Sequence, residues 1–410
     1  MAIRLGQRPA AAAAKPAARA SAARPAAPGP KPVHSSERRD ARARLVVGCM
    51  TGTSLDGLDV ALVRIHGYGL AMQAELARGV SLPLGRIGPG LRALAEQQPL
   101  TARAITELMA GFSALHVEAV RELKAERLDL VVVHGQTVYH APPLSWQLCA
   151  PVPISHALMA PVVYELRGAD LAAGGQGAPI TPLADYVLFR HGSESRAVIN
   201  LGGFCNLTRL PAGNDSTRIG GGDICACNQL LDALARRLWE VPFDHHGEHA
   251  ASGTVERKAL AALATALTLQ AKSRRSLGTG DELGGWIERY RERCSPEDLA
   301  RTACAAIAQT ICTAADGAQR LVLAGGGARN RTLVAEFQQR AHVPVVTSDQ
   351  LQVPIDMREA IGMAILGALC QDNIPITVPG ITGGESAPVS GCWCYPTLRP
   401  LAEASRRYPR

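Results

Sequence analysis

No apolar stretch in the sequence approaches the roughly 20 residues that a membrane span needs. The apolar runs at 45–47, 130–133 and 321–324 stop after three or four residues. An integral membrane protein built on helices is thereby excluded. The 11 cysteines contain no CxxC pair, and their number is odd. The two tight pairs, Cys225/Cys227 and Cys392/Cys394, have no histidine at zinc-site spacing. Neither a disulfide scaffold nor a zinc module fits, so the cysteines read as buried small hydrophobes in a reducing, cytoplasmic setting. Excess charge is missing from the body of the chain as well. The formal net charge is +7, but residues 1–44 carry ten bases and two acids, which leaves the other 366 residues at −1. A basic nucleic-acid-binding face is therefore not expected.

What is present is a two-part chain. Residues 1–44 hold fifteen Ala and six Pro with almost nothing large to bury, and read as a disordered leader. Apolar content of 47% and a mean hydropathy of +0.04 then describe a soluble globular body, long enough for two domains. Short β-branched runs at 45–48, 60–65, 130–133, 197–201, 207–210 and 321–324 predict strands. Ala/Leu-rich stretches of helical period at 91–97, 102–127, 228–239, 255–268, 296–315, 332–340 and 358–370 predict helices. Strands alternating with helices indicate an α/β fold. A strand, a Gly-rich turn and a second strand occur both at 45–63 and at 197–208, which suggests two related lobes facing a cleft.

Five motifs could carry chemistry. The turn Gly52-Thr53-Ser54-Leu55-Asp56-Gly57-Leu58-Asp59 offers close backbone approach and hydroxyls to phosphate oxygens, and Asp56 can hold Mg²⁺ through water. It lacks the GK[ST] ending of a Walker A loop, and a plain polar hairpin remains the alternative. Strand 130–133 runs into His134-Gly135-Gln136-Thr137, where α/β sheets open their crevice, and Gln136 and Thr137 suit recognition of a sugar. Asp170 stands ahead of the loop Gly174-Gly175-Gln176-Gly177-Ala178-Pro179, either as a general base or as a helix N-cap. Strand 321–324 ends in Gly325-Gly326-Gly327, against whose backbone a flat ring or phosphate can lie. It lacks GxGxxG spacing, which disfavours a Rossmann site. Glu359 opens the last long helix, where it serves a site or only the helix dipole.

In this order, these motifs resemble the anhydro-N-acetylmuramic acid kinases of the actin-like sugar-kinase superfamily, over roughly residues 45–392. The resemblance implies two ribonuclease-H-like lobes closing over ATP and Mg²⁺: 45–195, and 196–398 with its last helices packing back on the first lobe, followed by a tail at 399–410. It implies that Asp170 deprotonates a water opening the 1,6-anhydro ring while O6 takes the γ-phosphoryl group. Gly52 to Asp59 would hold the ATP phosphates, with Gly202 and Gly203 facing them and Gly325, Gly326 and Gly327 under the adenosine. Gln136, Thr137 and Glu359 would face the sugar. The implied product is N-acetylmuramic acid 6-phosphate from cell-wall turnover, and the implied partners are that small anhydro sugar and a second copy of the chain, with no nucleic acid and no membrane.

The sequence departs from the family pattern at several places. Asp223-Ile224-Cys225-Ala226-Cys227-Asn228 has Cys where the family has two glycines, so any positive φ there would be penalised and another backbone path is expected. Glu165-Leu166-Arg167 replaces Asp-Phe-Arg, Arg275-Ser276-Leu277-Gly278 replaces Lys-Ser-Thr-Gly, and Thr382-Gly383-Gly384 stands where Thr-Gly-Ala is usual. Two other functions compete with the leading one: a kinase for another 1,6-anhydro sugar such as levoglucosan, and a non-catalytic nucleotide or muropeptide sensor. The presence of Asp170 beside an intact Gly-Gly-Gln-Gly favours an enzyme.

Overall fold

The computed structural model describes residues 42–52, 55–272 and 284–396. Residues 1–41 of the leader, the tail, and the segment Arg275 to Gly278 lie outside the described residues, whereas Arg44, assigned to the leader, already opens the first strand. In chain order the strands are β1 (Arg44–Thr51), β2 (Gly57–His66), β3 (Gln73–Pro83), β4 (Leu130–Val133), β5 (Gln136–Ala141), β6 (Leu144–Leu148), β7 (Val162–Tyr164), β8 (Arg196–Leu201), β9 (Phe204–Leu210), β10 (Gly220–Ala226), β11 (Arg320–Ala324), β12 (Val345–Thr347) and β13 (Cys392–Cys394).

Two mixed sheets follow one plan. In the first, of order β13-β7-β4-β1-β2-β3, the strands β1, β2 and β3 form an antiparallel meander, and β4 and β7 continue from β1 in parallel. The second, of order β10-β9-β8-β11-β12, repeats it: β8, β9 and β10 are antiparallel, and β11 and β12 run parallel to β8. This is the α/β class expected from the sequence, and the shared plan matches two ribonuclease-H-like lobes. The reason is visible in the strands themselves. Leu130–Val133 is buried at every position, as a central parallel strand covered on both faces must be.

Helices Pro182–Phe189 and Arg358–Gln371 fill the space between the sheets. One hydrophobic cluster joins Val46, Ala61, Val132 and Val163 of the first sheet to Val198 and Val322 of the second through Ala184, Ala360, Ile361 and Leu366. The helix Arg358–Gln371 lies directly on β1 because position 48 has no side chain. A Cβ on Gly48 would sit 2.5 Å from the Ala364 amide nitrogen. Inside this helix twelve of the fourteen residues are buried, so it carries no polar face.

Expected helix 102–127 stops earlier, at Glu122, because Lys124 takes a left-handed φ of 48°. The polar stretch after β4, for which the sequence predicts no strand, forms β5, paired with β6 in a separate two-stranded hairpin. Among the described residues, no helix is long and apolar enough to cross a membrane.

Candidate active site

The first hairpin turn is anchored by leucine. Leu55 adopts φ 58°, unusual for a non-glycine residue, and its amide bonds to Gly52 O at 3.3 Å. Its side chain is buried with Leu84, Leu91, Phe112 and Leu148, which offsets the strain. Leu58 is wholly buried in β2. These two leucines, expected on the phosphate side, therefore have only backbone to offer a ligand. Thr53 and Ser54 lie outside the described residues. Gly57 opens β2 opposite Pro83. Asp56 is exposed at the turn, whereas Asp59 accepts a hydrogen bond from Ser81 Oγ at 2.6 Å.

Acid gathers here. Burial pushes the Asp59 carboxyl up, and the charges of Asp356, Glu359 and Asp56 add to the effect. Across from the turn, burial raises Asp232 on helix Asn228–Trp239 to about 6, with the Asp56 charge also raising it. The turn of the first sheet and this helix of the second therefore lie close enough to feel one another. Among the described residues, no three His, Cys, Asp or Glu side chains could hold a metal ion between them. A cation at this acidic place would depend on water and on ligand oxygens.

The second hairpin turn meets the glycine run. Gly202 and Gly203 offer their carbonyls to the amides of Cys227, Asn228 and Gln229, so the turn caps the start of helix Asn228–Trp239. Asn228 Nδ2 donates to Leu201 O at 3.0 Å, and Asn228 Oδ1 would lie 2.7 Å from a Cβ on Gly327. Gly325, at φ 77°, passes against Asn200 and Leu201. Beside Gly326 the nearest atom to a Cβ would be Asn228 Nδ2 at 3.8 Å, and Gly203 faces open space. The expected penalty at the altered loop does not arise. Cys225 pairs with Cys205 inside β10, and Cys227 has φ −128°, so neither residue needs the left-handed region. Both are wholly buried, and burial lifts the Cys225 thiol to about 12, which leaves it inert. All eleven cysteines are free.

The third constellation is tightly wired. Asp170 is the third residue of the short helix Gly168–Ala172 and is fully buried. It is not the N-cap. Its Oδ2 accepts from the Gly177 amide at 2.8 Å, and its Oδ1 from Thr382 Oγ1 at 2.9 Å. Gly175 crosses over the carboxylate so closely that a Cβ there would lie 2.6 Å from Asp170 Cγ. The Gln176 amide bonds to Thr382 O at 2.8 Å, stapling loop and threonine together.

Arg167 immediately precedes this helix. It donates through Nη1 to Gly177 O at 2.7 Å, and through Nε and Nη2 to His134 Nε2 at 3.1 and 2.9 Å. His134 Nδ1 donates to Gly135 O at 2.8 Å, which completes a neutral imidazole. Burial and the Arg167 charge bring His134 down to about 3. Gln136 is 1% exposed, and its Oε1 is buried without a partner, while its Nε2 bonds to Thr137 O. Thr137 Oγ1 accepts from Gln147 Nε2 at 3.3 Å. Glu359 Oε1 accepts from Asn200 Nδ2 at 3.2 Å, joining the last long helix to the end of β8. Beside it, Arg358 forms a buried pair with Asp185, which also accepts from Thr208 Oγ1.

The structure thus brings together Asp170, the 174–179 loop and, through Arg167, His134 at one place, and Gly202, Gly203 and Gly325 to Gly327 at another. Among the described residues, no hydrogen bond ties Gln136 to the first of these. Thr382, Arg167 and Asn200 are parts that sequence reasoning passed over as functional. All three stand in segments it had singled out, Asn200 within the second strand–turn–strand at 197–208, but none was given a role there.

A family model described as anhydro-N-acetylmuramic acid kinase matches residues 44–396. A relative of that name from Salinibacter ruber is 33% identical over 384 residues, covering 86% of this chain and 96% of its own length. Another from Bacillus thuringiensis subsp. konkukian is 29% identical over 380 residues, covering 86% of this chain and all of its own. Among solved structures, an activator of 2-hydroxyisocaproyl-CoA dehydratase from Clostridium difficile with bound ADPNP superimposes with a TM-score of 0.43 at 16% identity, covering 80% of this chain and 95% of its own. A ROK family glucokinase from Streptomyces griseus in complex with glucose and AMPPNP gives 0.36, also at 16%, covering 78% and 98%.

Proposed function

The chain belongs to the anhydro-N-acetylmuramic acid kinase family, and from that premise we propose that this sugar kinase uses ATP to open the 1,6-anhydro ring of anhydro-N-acetylmuramic acid, giving N-acetylmuramic acid 6-phosphate. The observation that carries this reading is Asp170, a buried carboxylate whose two oxygens each hold one donor and keep further lone pairs. Asp170 takes a proton from water, and the water oxygen forms a bond to C1 as the C1–O6 bond breaks. O6 then bonds to the γ-phosphorus, the bond to the β-phosphate oxygen breaks, and ADP leaves. Gly177 N–H and Thr382 Oγ–H fix the orientation of the Asp170 carboxyl group. Glu359 and Gln136, with its unpaired Oε1, are the sugar-side groups.

The nucleotide side is read as the turn Gly52 to Asp59 facing Gly202 and Gly203, with adenosine over Gly325 to Gly327. The open space at Gly203 and the thin contact at Gly326 support it. Mg²⁺, when bound, would neutralise developing phosphate charge, and Asp56 with Asp232 would hold its waters. We take the lobes as 45–195 and 196–398, with Arg358–Gln371 and β13 returned to the first sheet. The altered 223–228 loop lends no support to a different sugar, because both of its cysteines are sealed in the second lobe's core.

Asp170→Asn keeps the shape and removes the base. ADP release dependent on anhydro-N-acetylmuramic acid should fall at least about 100-fold. Retained activity in that variant would refute the assigned base, and no sugar-dependent ADP release from the wild type would refute the kinase.

A further inference from the structure

The buried and half-buried arginines of this chain usually touch a carboxylate. Arg44 meets Asp372, Arg196 and Arg320 share Glu194, Arg301 and Arg340 share Glu336, and Arg358 meets Asp185. Arg167 does not. Its three hydrogen bonds go to neutral His134 and to a backbone carbonyl, and no carboxylate lies within ion-pair distance among the described residues. Two carboxylates are near enough to feel its charge, Glu359 and Glu165. Both are engaged elsewhere, Glu359 by the Asn200 amide and Glu165 by the Gly168 amide. Of the five guanidinium N–H donors, two are left over, the number that a carboxylate takes in a bidentate pair.

The position is equally specific. Arg167 caps the short helix that holds Asp170 three residues on, so the two side chains share a face. Gly177 ties them together, its carbonyl on Arg167 and its amide on Asp170. A sugar whose anomeric carbon lies at Asp170 would have a substituent from the far side of its ring within reach of this cation.

Resting on the function proposed above, we propose that Arg167 reads the carboxylate of the sugar's lactyl group, and that His134 is a positioning residue which holds the guanidinium without neutralising it. A carboxylate in place of His134 would quench the charge, and a protonated histidine would repel it. Burial brings Arg167 down only to about 10, so it remains a cation at neutral pH.

Calorimetric titration of the full chain with 1,6-anhydro-N-acetylmuramic acid, and with 1,6-anhydro-N-acetylglucosamine as the same ring without the acid, tests this. The wild type should bind the acid about 10- to 100-fold more tightly than the neutral sugar, as a charge-assisted pair requires. In Arg167→Gln that ratio should collapse towards one, in Arg167→Lys it should survive in part, and in His134→Gln it should fall between. Circular dichroism establishes that each variant is folded. The selectivity ratio separates a carboxylate reader from a scaffold, because a scaffold defect weakens both sugars alike. Equal binding of the two sugars by wild type, no binding of the acid, or an unchanged ratio in Arg167→Gln would overturn the proposal. A ratio that behaves as expected with no sugar-dependent ADP release would sink the kinase reading and leave Arg167 standing.

Discussion

His134 and His116 are buried histidines with an acid-sensitive consequence. Burial brings His134 down to about 3 and His116 to about 4, whereas both titrate near 6.5 when unfolded. Between those values the unfolded chain binds protons that the folded chain refuses. Their contribution to stability is therefore complete above about pH 6.5 and is lost as pH falls, at about 1.4 kcal/mol per pH unit for each group. Thermal melts from about pH 7 down to 4.5 should show Tm falling with acid, and His116→Gln should flatten the slope by one proton's share. A slope unchanged by that substitution would mean another group carries the effect. Residue by residue, the site was legible where local chemistry signals it. Asp170 stood out by the glycines behind it. Its bond to Thr382 spans 212 residues, and Arg167 reaches back 33 to His134, and no local pattern encodes such pairings.

Among the elements, the start of helix Arg358–Gln371 depends on one buried ion pair. Arg358 and Asp185 are each at most 2% exposed, and Thr208 supplies the second oxygen's partner. Asp185→Ala would leave the guanidinium charge buried and unpaired, and should cost about 3–5 kcal/mol in denaturant titration. Asp185→Leu combined with Arg358→Met should recover most of that loss, because a packed apolar pair carries no desolvation penalty. A single variant within about 1 kcal/mol of wild type would show that solvent reaches the pair. The long helices and central strands were readable because burial on both faces or a helical period marks them. Asn228–Trp239 and Leu130–Val133 match expectation residue for residue. β3 went unread because it is an edge strand with mostly polar and small residues. β7, β12 and β13 were unreadable for a different reason: three residues carry no period.

For the molecule as a whole, the repeated sheet plan hides an asymmetry. The second sheet is built from 196–347 alone, whereas the first is finished by β13, which pairs antiparallel with β7. Helix Arg358–Gln371, which covers Val46, Ala61 and Val132, also arrives late in the chain. A fragment of residues 42–195 should therefore expose a bare apolar face and an unpaired strand edge, and sediment as aggregate. Co-expression with 196–410 should return it to the soluble fraction. A soluble 42–195 fragment with a cooperative melt would contradict this account. The pairing of β13 also sets an order of events during synthesis. The lobe that leaves the ribosome first is the one that must wait for residue 394 before its edge is closed, so the earliest-made half spends most of translation unfinished. A stop codon placed just ahead of codon 392 would leave every candidate catalytic residue up to Glu359 in place, and would still remove the strand that closes the first sheet.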